Sequence, residues 1–370
     1  MDADLGDEDT VPFLEQPGIA PDASIDGDVN IQVQLEPPRS LTLTNAITFV
    51  VGTMIGSGIF ASPGSVLVDA KSAGMAFIAW IVAGLVALMG SACYAELGTL
   101  LPANGAEYTY INAGLHPVVA FLFTWTSSVV TRPGSQAIMI LIAGEYLCKA
   151  LSGTEFVDEW TFKGVAVALN TVVLLINCWS SRWGAWLQDS TTAIKVMALV
   201  LISLLGLAWL AHFAQDPDSA AYRNLHGDNA FSSDRFSIGL FGLAVVNALF
   251  SYDGWNNANF CVAEMVNPAR DLPRALVIGI PLVVVIYVFA NLAYFAVLDL
   301  DSIADLEAGK PNESFASTFA RVTMGRVGGV ILPLLIFASA FGATNGSLYT
   351  AARLHGVGHM HAKGGGRAFW

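Results

Sequence analysis

The chain has 370 residues, 54% of them hydrophobic and only 13% charged, with a mean hydropathy of +0.58. Soluble domains carry about 25% charged residues, so an ordinary water-soluble fold is excluded. The net charge of −13 is concentrated at one end: residues 1–40 hold 10 of the 30 acidic residues and a single base, Arg39. The remaining body is close to neutral, which excludes a basic nucleic-acid-binding protein.

Residues 1–40 are rich in Asp, Glu and Pro and predict a disordered acidic arm. The arm contains no lysine, so ubiquitin could not attach there. It has no early apolar core of a signal peptide, so the first apolar run is expected to act as an uncleaved anchor. Eight runs follow that reach the length of a bilayer crossing, about 20 apolar residues: 45–68, 75–100, 117–147, 162–179, 191–210, 238–265, 276–297 and 327–349. Backbone groups in lipid must bond within their own segment, so these runs are predicted to be helices. Basic residues do not fix the orientation by number. Arg270 and Arg274, in the expected loop before the seventh run, favour an inner N-terminus, and the sequon Asn312-Glu313-Ser314 would then lie outside. Cys93, Cys148, Cys178 and Cys261 fall in or beside apolar runs without metal-ligand spacing, so neither a disulfide framework nor a zinc site is expected.

Two runs carry polar interruptions. The first contains Gly52-Thr53-Met54-Ile55-Gly56-Ser57-Gly58-Ile59-Phe60, poor material for a continuous helix. Close helix packing through small residues is the alternative reading. The sixth contains Phe250-Ser251-Tyr252-Asp253-Gly254-Trp255-Asn256-Asn257, costly in lipid unless it lines a cavity. Interruptions at matching places in two halves point to the substrate site of a secondary transporter built from inverted repeats. Amides freed at a half-helix N-terminus favour an anion, and freed carbonyls favour a cation. Together they suit a zwitterion. Lys195, inside the fifth run, is an intramembrane lysine and so a functional candidate, with a snorkelling structural role as the alternative. Arg132, beside Pro133, is expected to bond carbonyls freed by the kink, with direct substrate contact as the alternative. Nothing suggests a nucleophile–base pair, a phosphate-binding loop or a metal cluster. An enzyme, a cofactor and a bound metal are therefore not expected.

These motifs resemble the amino acid–polyamine–organocation superfamily, and within it the L-type amino acid transporter family. Gly52 to Phe60 is similar to the family's first-helix signature. Tyr94-Ala95-Glu96-Leu97-Gly98, Leu101-Pro102 and Gly105-Ala106-Glu107-Tyr108 resemble the end of its second helix and the next loop. Arg132-Pro133-Gly134-Ser135-Gln136 looks like its third helix, and Trp255-Asn256 with Glu264, Asn267-Pro268, Arg270 and Leu272-Pro273 like its sixth and the exit from it. Phe341-Gly342-Ala343, Asn345-Gly346 and Arg353 resemble its eighth, and the Tyr-Asp-Gly-Trp-Asn variant looks most like fungal members.

The resemblance implies an all-α integral membrane protein with an inverted-repeat, leucine-transporter-like fold. About eight transmembrane helices are expected, the second repeat being incomplete. The domains expected are the arm at 1–40, a permease domain at 41–354 and an aberrant Gly/His-rich tail at 355–370, read as a truncation or translated noncoding sequence. Carried over position by position, amides around Gly56, Ser57 and Gly58 would take the substrate carboxylate, with Ile55 also among the substrate-binding residues. Carbonyls of Met54, Phe250 and Asp253 would take the ammonium, and Phe250 would close as a gate. Asp253 stands where many relatives have glycine, and hydrogen bonding to the freed backbone is its alternative role. Lys195 would replace a coupling ion and hold helices one, five and eight together.

The expected function is secondary transport of neutral L-amino acids by alternating access. The alternatives are a truncated, non-transporting sensor or interaction protein, and a sodium-coupled carrier. The pocket side is expected to present no pair of opposite charges. The expected partners are a small neutral amino acid and the lipid bilayer, without nucleic acid. No accessory heavy chain is expected, because Cys148 sits at a helix end rather than in the third external loop. The plasma membrane is expected rather than the vacuolar one.

Overall fold

The computed structural model describes Arg39 and residues 41–103, 105–153, 157–179, 181–231, 237–299 and 315–363. The expected arm (Arg39 apart), the sequon at Asn312 and the end of the tail beyond Lys363 lie outside the described residues. The described residues are overwhelmingly helical, and their only β pairing is an isolated parallel bridge between Leu41 and Met265.

Helix α1 (Leu43–Met54) starts at Thr42, whose side chain accepts from the Asn45 amide, and stops at Ile55, where the backbone turns extended. Helix α2 (Gly58–Ala70) follows at an angle of 50° and closes on Lys71 at φ +64°. The glycine-rich stretch therefore does break the first run. Helix α3 (Ala73–Leu100) is the second run, capped by Ser72. A short helix α4 (Glu107–Gly114) precedes α5 (Pro117–Thr126).

The third run is not one helix, because a π-helical turn at Ser127–Thr131 joins α5 to α6 (Arg132–Ser152). Pro133 explains the turn: its ring cannot sit on the carbonyl four residues back, and a π-bulge relieves that clash. Helix α7 (Glu159–Trp179) is the fourth run, and α8 (Ser181–Phe213) begins ten residues before the fifth was expected. A short helix, α9 (Ala220–Leu225), follows.

Helix α10 (Ile238–Ser251) ends at the second polar interruption, and the chain continues as a 3-10 helix over Asn257–Glu264. Helix α11 (Pro268–Val297) starts with proline at its first position, a favoured site because proline's missing N–H has no helical partner there. Arg270 and Arg274, expected in a loop, therefore lie on its first two turns, where both are exposed. Helix α12 (Phe315–Lys363) is broken at Gly325, and its helical backbone runs into the expected tail as far as Lys363.

Five of these helices are long and apolar enough to cross a bilayer: α3, α7, α8, α11 and α12. The bent pair α1–α2 makes a sixth span. Helix α10 is shorter, with 14 residues, and α6 carries Arg132, Glu145 and Lys149. The largest core cluster contains Trp80, Tyr252 and Tyr287, and α11 packs against α1, α3 and α8. The three rings meet mutually, Trp80 edge-on to Tyr252 and Tyr287 at centroid distances of 6.1 and 5.7 Å.

Candidate functional site

A helix leaves its last carbonyls without intrahelical donors. In α1 those of Gly52, Thr53 and Met54 are left over, because their donors would be amides of Gly56, Ser57 and Gly58 in or beyond the break. Side chains from other helices reach two of them. Lys195 of α8 is fully buried and donates from Nζ to the Gly52 carbonyl at 3.1 Å. A cation at a helix C-terminus also faces the negative end of the helix dipole. The Tyr287 hydroxyl of α11 lies 3.0 Å from the Met54 carbonyl and 2.8 Å from that of Ser251 at the end of α10. Its one proton is shared between the two interrupted helices. The Ser339 hydroxyl of α12 donates to the Gly56 carbonyl at 2.9 Å.

The two breaks touch directly. A Cβ on Gly58 would lie 2.7 Å from the Ser251 Cα, so only glycine permits this approach. Gly254 has φ +100°, and a Cβ there would lie 2.9 Å from the Thr53 carbonyl. The Thr53 hydroxyl is 3.2 Å from the Gly254 carbonyl. Asp253 Oδ1 accepts the Gly254 amide at 2.9 Å, the backbone-bonding role expected as its alternative.

Beside the second break lies a cavity of about 300 Å³ whose walls include Thr53, Glu107, Arg132, Asp253, Asn256 and Ala343. Of the expected site residues only Asp253 lines it. Met54, Ile55 and Ser57 are buried, with exposures of 1%, 0% and 3%, and Gly58 is buried beside them at the junction of the two breaks. Phe250, the expected gate, is 46% exposed and lies off the cavity wall. Lys195 sits behind the first break and under α12, where a Cβ on Gly342 would meet its Cε at 3.2 Å. It thereby touches α1 and α12 from α8.

One expectation needs correcting. Glu107, Asp253 and Arg132 all line the cavity, so its wall does carry opposite charges. The error came from reading Glu107 as a loop residue. Ala106, at φ +43° and fully buried, turns the chain so that Glu107 opens α4 against the second break. There the Asn256 side-chain amide donates to Glu107 Oε1. Asn259 donates to the Tyr94 carbonyl at 2.7 Å and to the Tyr110 hydroxyl at 2.9 Å, so α4 is bonded to the second break through two of its residues. Burial pushes the Tyr110 phenol above its ordinary pKa; the Asn259 bond acts against that shift and Glu107 adds to it. Arg132 stacks its guanidinium 4.7 Å from the centre of the Phe260 ring. Tyr287, Ser339 and Glu107 were not singled out in the sequence. For Tyr287 a signal existed, since a buried phenol within an apolar run needs a partner.

Apolar helices, one of them sharply bent, with a polar cavity beside two touching helix ends, define a multi-pass integral membrane protein. Residues 41–356 match the family model described as amino acid permease, and the chain belongs to that family. It is 38% identical over 330 residues to b(0,+)-type amino acid transporter 1 of Mus musculus, covering 87% of this chain and 64% of that protein. It is 37% identical over 325 residues to large neutral amino acids transporter small subunit 2 of Homo sapiens, covering 86% of this chain and 57% of that one. The expected resemblance to L-type transporters is thus borne out, and the chain spans less than two thirds of the length of these relatives. Both relatives are named as transporters rather than enzymes. The second is named a small subunit, so the expectation that no heavy chain accompanies this protein gains no support.

Proposed function

We propose that this chain is a secondary carrier for amino acids, working by alternating access across the plasma membrane. On this reading residues 41–354 form the permease domain, with eight crossings belonging to an inverted-repeat fold, between the arm at 1–40 and the tail at 355–370. The observation that carries the reading is the Tyr287 hydroxyl, shared between the carbonyls of Met54 and Ser251. It joins the ends of two interrupted helices, where freed amides and freed carbonyls lie side by side. The substrate carboxylate rests on the amides of Gly56, Ser57 and Gly58 in the break, since the Ile55 amide already donates to the Val51 carbonyl at 2.9 Å. Its ammonium rests on the carbonyls of Met54, Phe250 and Asp253, and Phe250 swings in from its exposed position as the gate. Lys195 serves as the fixed cation that ties α8 to α1 and α12. The name of the second relative, a small subunit, leaves a companion subunit open to this chain as well.

The substrate side chain is neutral on the first reading. A second reading, a cationic side chain, is favoured by the cavity wall, where Glu107 and Asp253 outnumber Arg132. Uptake of labelled leucine and labelled lysine into proteoliposomes containing the purified chain tests both. Saturable leucine uptake supports the first reading, and lysine uptake lost in Asp253→Asn supports the second. Binding of either amino acid without flux would instead fit a non-transporting sensor, and flux that requires sodium would fit a sodium-coupled carrier.

A further inference from the structure

The Gly56 carbonyl and the Ser57 amide belong to one planar trans peptide unit, so whatever fixes the direction of one fixes the other. The chain alone holds this plane weakly, because glycines stand on both sides of Ser57. Ser57 is buried, and its amide donates to no described group. A buried N–H left open calls for an acceptor. The carbonyl at the other end of the same unit is already held, by the bond from the Ser339 hydroxyl at 2.9 Å.

That bond is not the ordinary one for a hydroxyl in an apolar helix. Thr323 and Thr344, on the same helix as Ser339, turn their hydroxyls back on the carbonyls of Phe319 and Ala340, four residues earlier. Ser339 is fully buried and reaches across to α1's break instead. Its helix is fixed around it. Ala343, one turn on, lies 3.8 Å from where a Cβ on Gly56 would stand. About 120° around the helix from Ser339, Asn345 accepts from the Asn177 side chain of α7 at 2.8 Å and donates to the Gly184 carbonyl of α8 at 2.9 Å. The hydroxyl is thus carried on an element that two other helices hold in register.

We infer that Ser339 is a positioning residue for the substrate carboxylate. Its hydroxyl holds the Gly56–Ser57 plane at one angle, with the Ser57 N–H pointing away from it, as the trans geometry requires. It also polarises the unit, since a carbonyl that accepts a hydrogen bond makes its own N–H a stronger donor. Ser339 acts through the peptide and has no need to touch the substrate. This role rests on the carrier reading above, in which the amides of Gly56, Ser57 and Gly58 take the carboxylate.

The test compares leucine with leucinamide, which keeps the ammonium and the side chain but lacks the charged carboxylate. Lysine and lysinamide replace them if lysine is the amino acid taken up. The full chain in neutral detergent is titrated with the labelled amino acid, and the amide is measured by competition. Ser339→Ala is expected to weaken the amino acid roughly two- to tenfold, the worth of one neutral hydrogen bond, and to leave the amide nearly unchanged. Thr344→Val removes a hydroxyl that is equally buried on the same helix but bonded within it, and should leave the ratio of the two affinities unaltered. Ser339→Cys, a weaker donor of similar size, should also weaken the amino acid, and it serves if the alanine variant does not fold. Equal weakening of amino acid and amide would reduce Ser339 to a structural contact and overturn the inference, as would an unchanged ratio in both Ser339 variants. A wild type that binds both amino acids no better than their amides would instead overturn the carboxylate site itself.

Discussion

Tyr287 and Tyr294 lie two turns apart on α11, both with 0% exposure, yet the same substitution is expected to move stability in opposite directions. The Tyr287 hydroxyl serves the carbonyls of Met54 and Ser251, themselves 1% and 2% exposed. Tyr287→Phe keeps the ring, and with it the edge contact to Trp80 and the tilted contact to Tyr252 at 5.0 Å. It removes only the proton, leaving two buried acceptors short of a donor. Because one proton is shared, one bond's worth is lost rather than two. The lower bound is about 0.6 kcal/mol, the average for interhelical bonds within membranes. The upper bound is about 3 kcal/mol, the cost of an unmet buried group.

Tyr294 packs edge-on to Phe315 and Phe319 at 6.0 and 5.4 Å, and its hydroxyl bonds no described group. Removing that hydroxyl relieves a desolvation cost of about 1–3 kcal/mol, so Tyr294→Phe should be neutral or stabilising. Unfolding by SDS titration in mixed micelles, followed by tryptophan fluorescence, measures both variants. Equal shifts of the same sign in the two variants would refute the role given to the Tyr287 hydroxyl.

Four further outcomes are expected. Gly58→Ala should lower the unfolding temperature by the equivalent of about 1–3 kcal/mol of overpacking, whereas Gly56→Ala, with its nearest neighbour at 3.8 Å, should be nearly silent in the same measurement. Gly254→Ala places a Cβ against the Thr53 carbonyl at a left-handed position, and a loss of about 1–3 kcal/mol is expected by the same SDS titration. Lys195→Met should reduce leucine flux in proteoliposomes roughly tenfold, since a charge-assisted bond to Gly52 is lost; unchanged flux and unchanged pH dependence would dismiss its proposed part. Glu107→Ala should free α4 from Asn256 and raise the rate at which a maleimide labels Cys261, which is 1% exposed, while Cys93 labels at an unchanged rate.

The breaks were legible because composition alone reports them. Three glycines around Met54, and Asp253-Gly254 inside an apolar run, violate local helix preference whatever surrounds them. The span ends were less legible. Polar residues such as Gln188, Asp189, Arg270 and Arg274 look like loop material, but a helix that emerges from lipid continues as long as water or neighbouring helices satisfy its side chains. Glu107 was missed for a related reason: its loop-like sequence says nothing of the turn at Ala106 that aims it at Asn256. Contacts such as Ser339 to Gly56, 283 residues apart, leave no local trace.

The side chains that answer the first break narrow how it can hold a ligand. Lys195, Tyr287 and Ser339 come from three different helices, and each takes one carbonyl at or next to the break. A carbonyl oxygen has two lone pairs, so Met54 keeps one acceptor position once Tyr287 has taken the other. An ammonium at Met54 would then share its oxygen with the phenol. Tyr287 thus acts as a positioning residue: it fixes the angle of the Met54 carbonyl and ties it to Ser251, next in sequence to the proposed gate Phe250. On the proposed reading, movement of the gate and reorientation of the carbonyl would be coupled through one hydroxyl, the connection that a carrier with a site at two helix breaks requires.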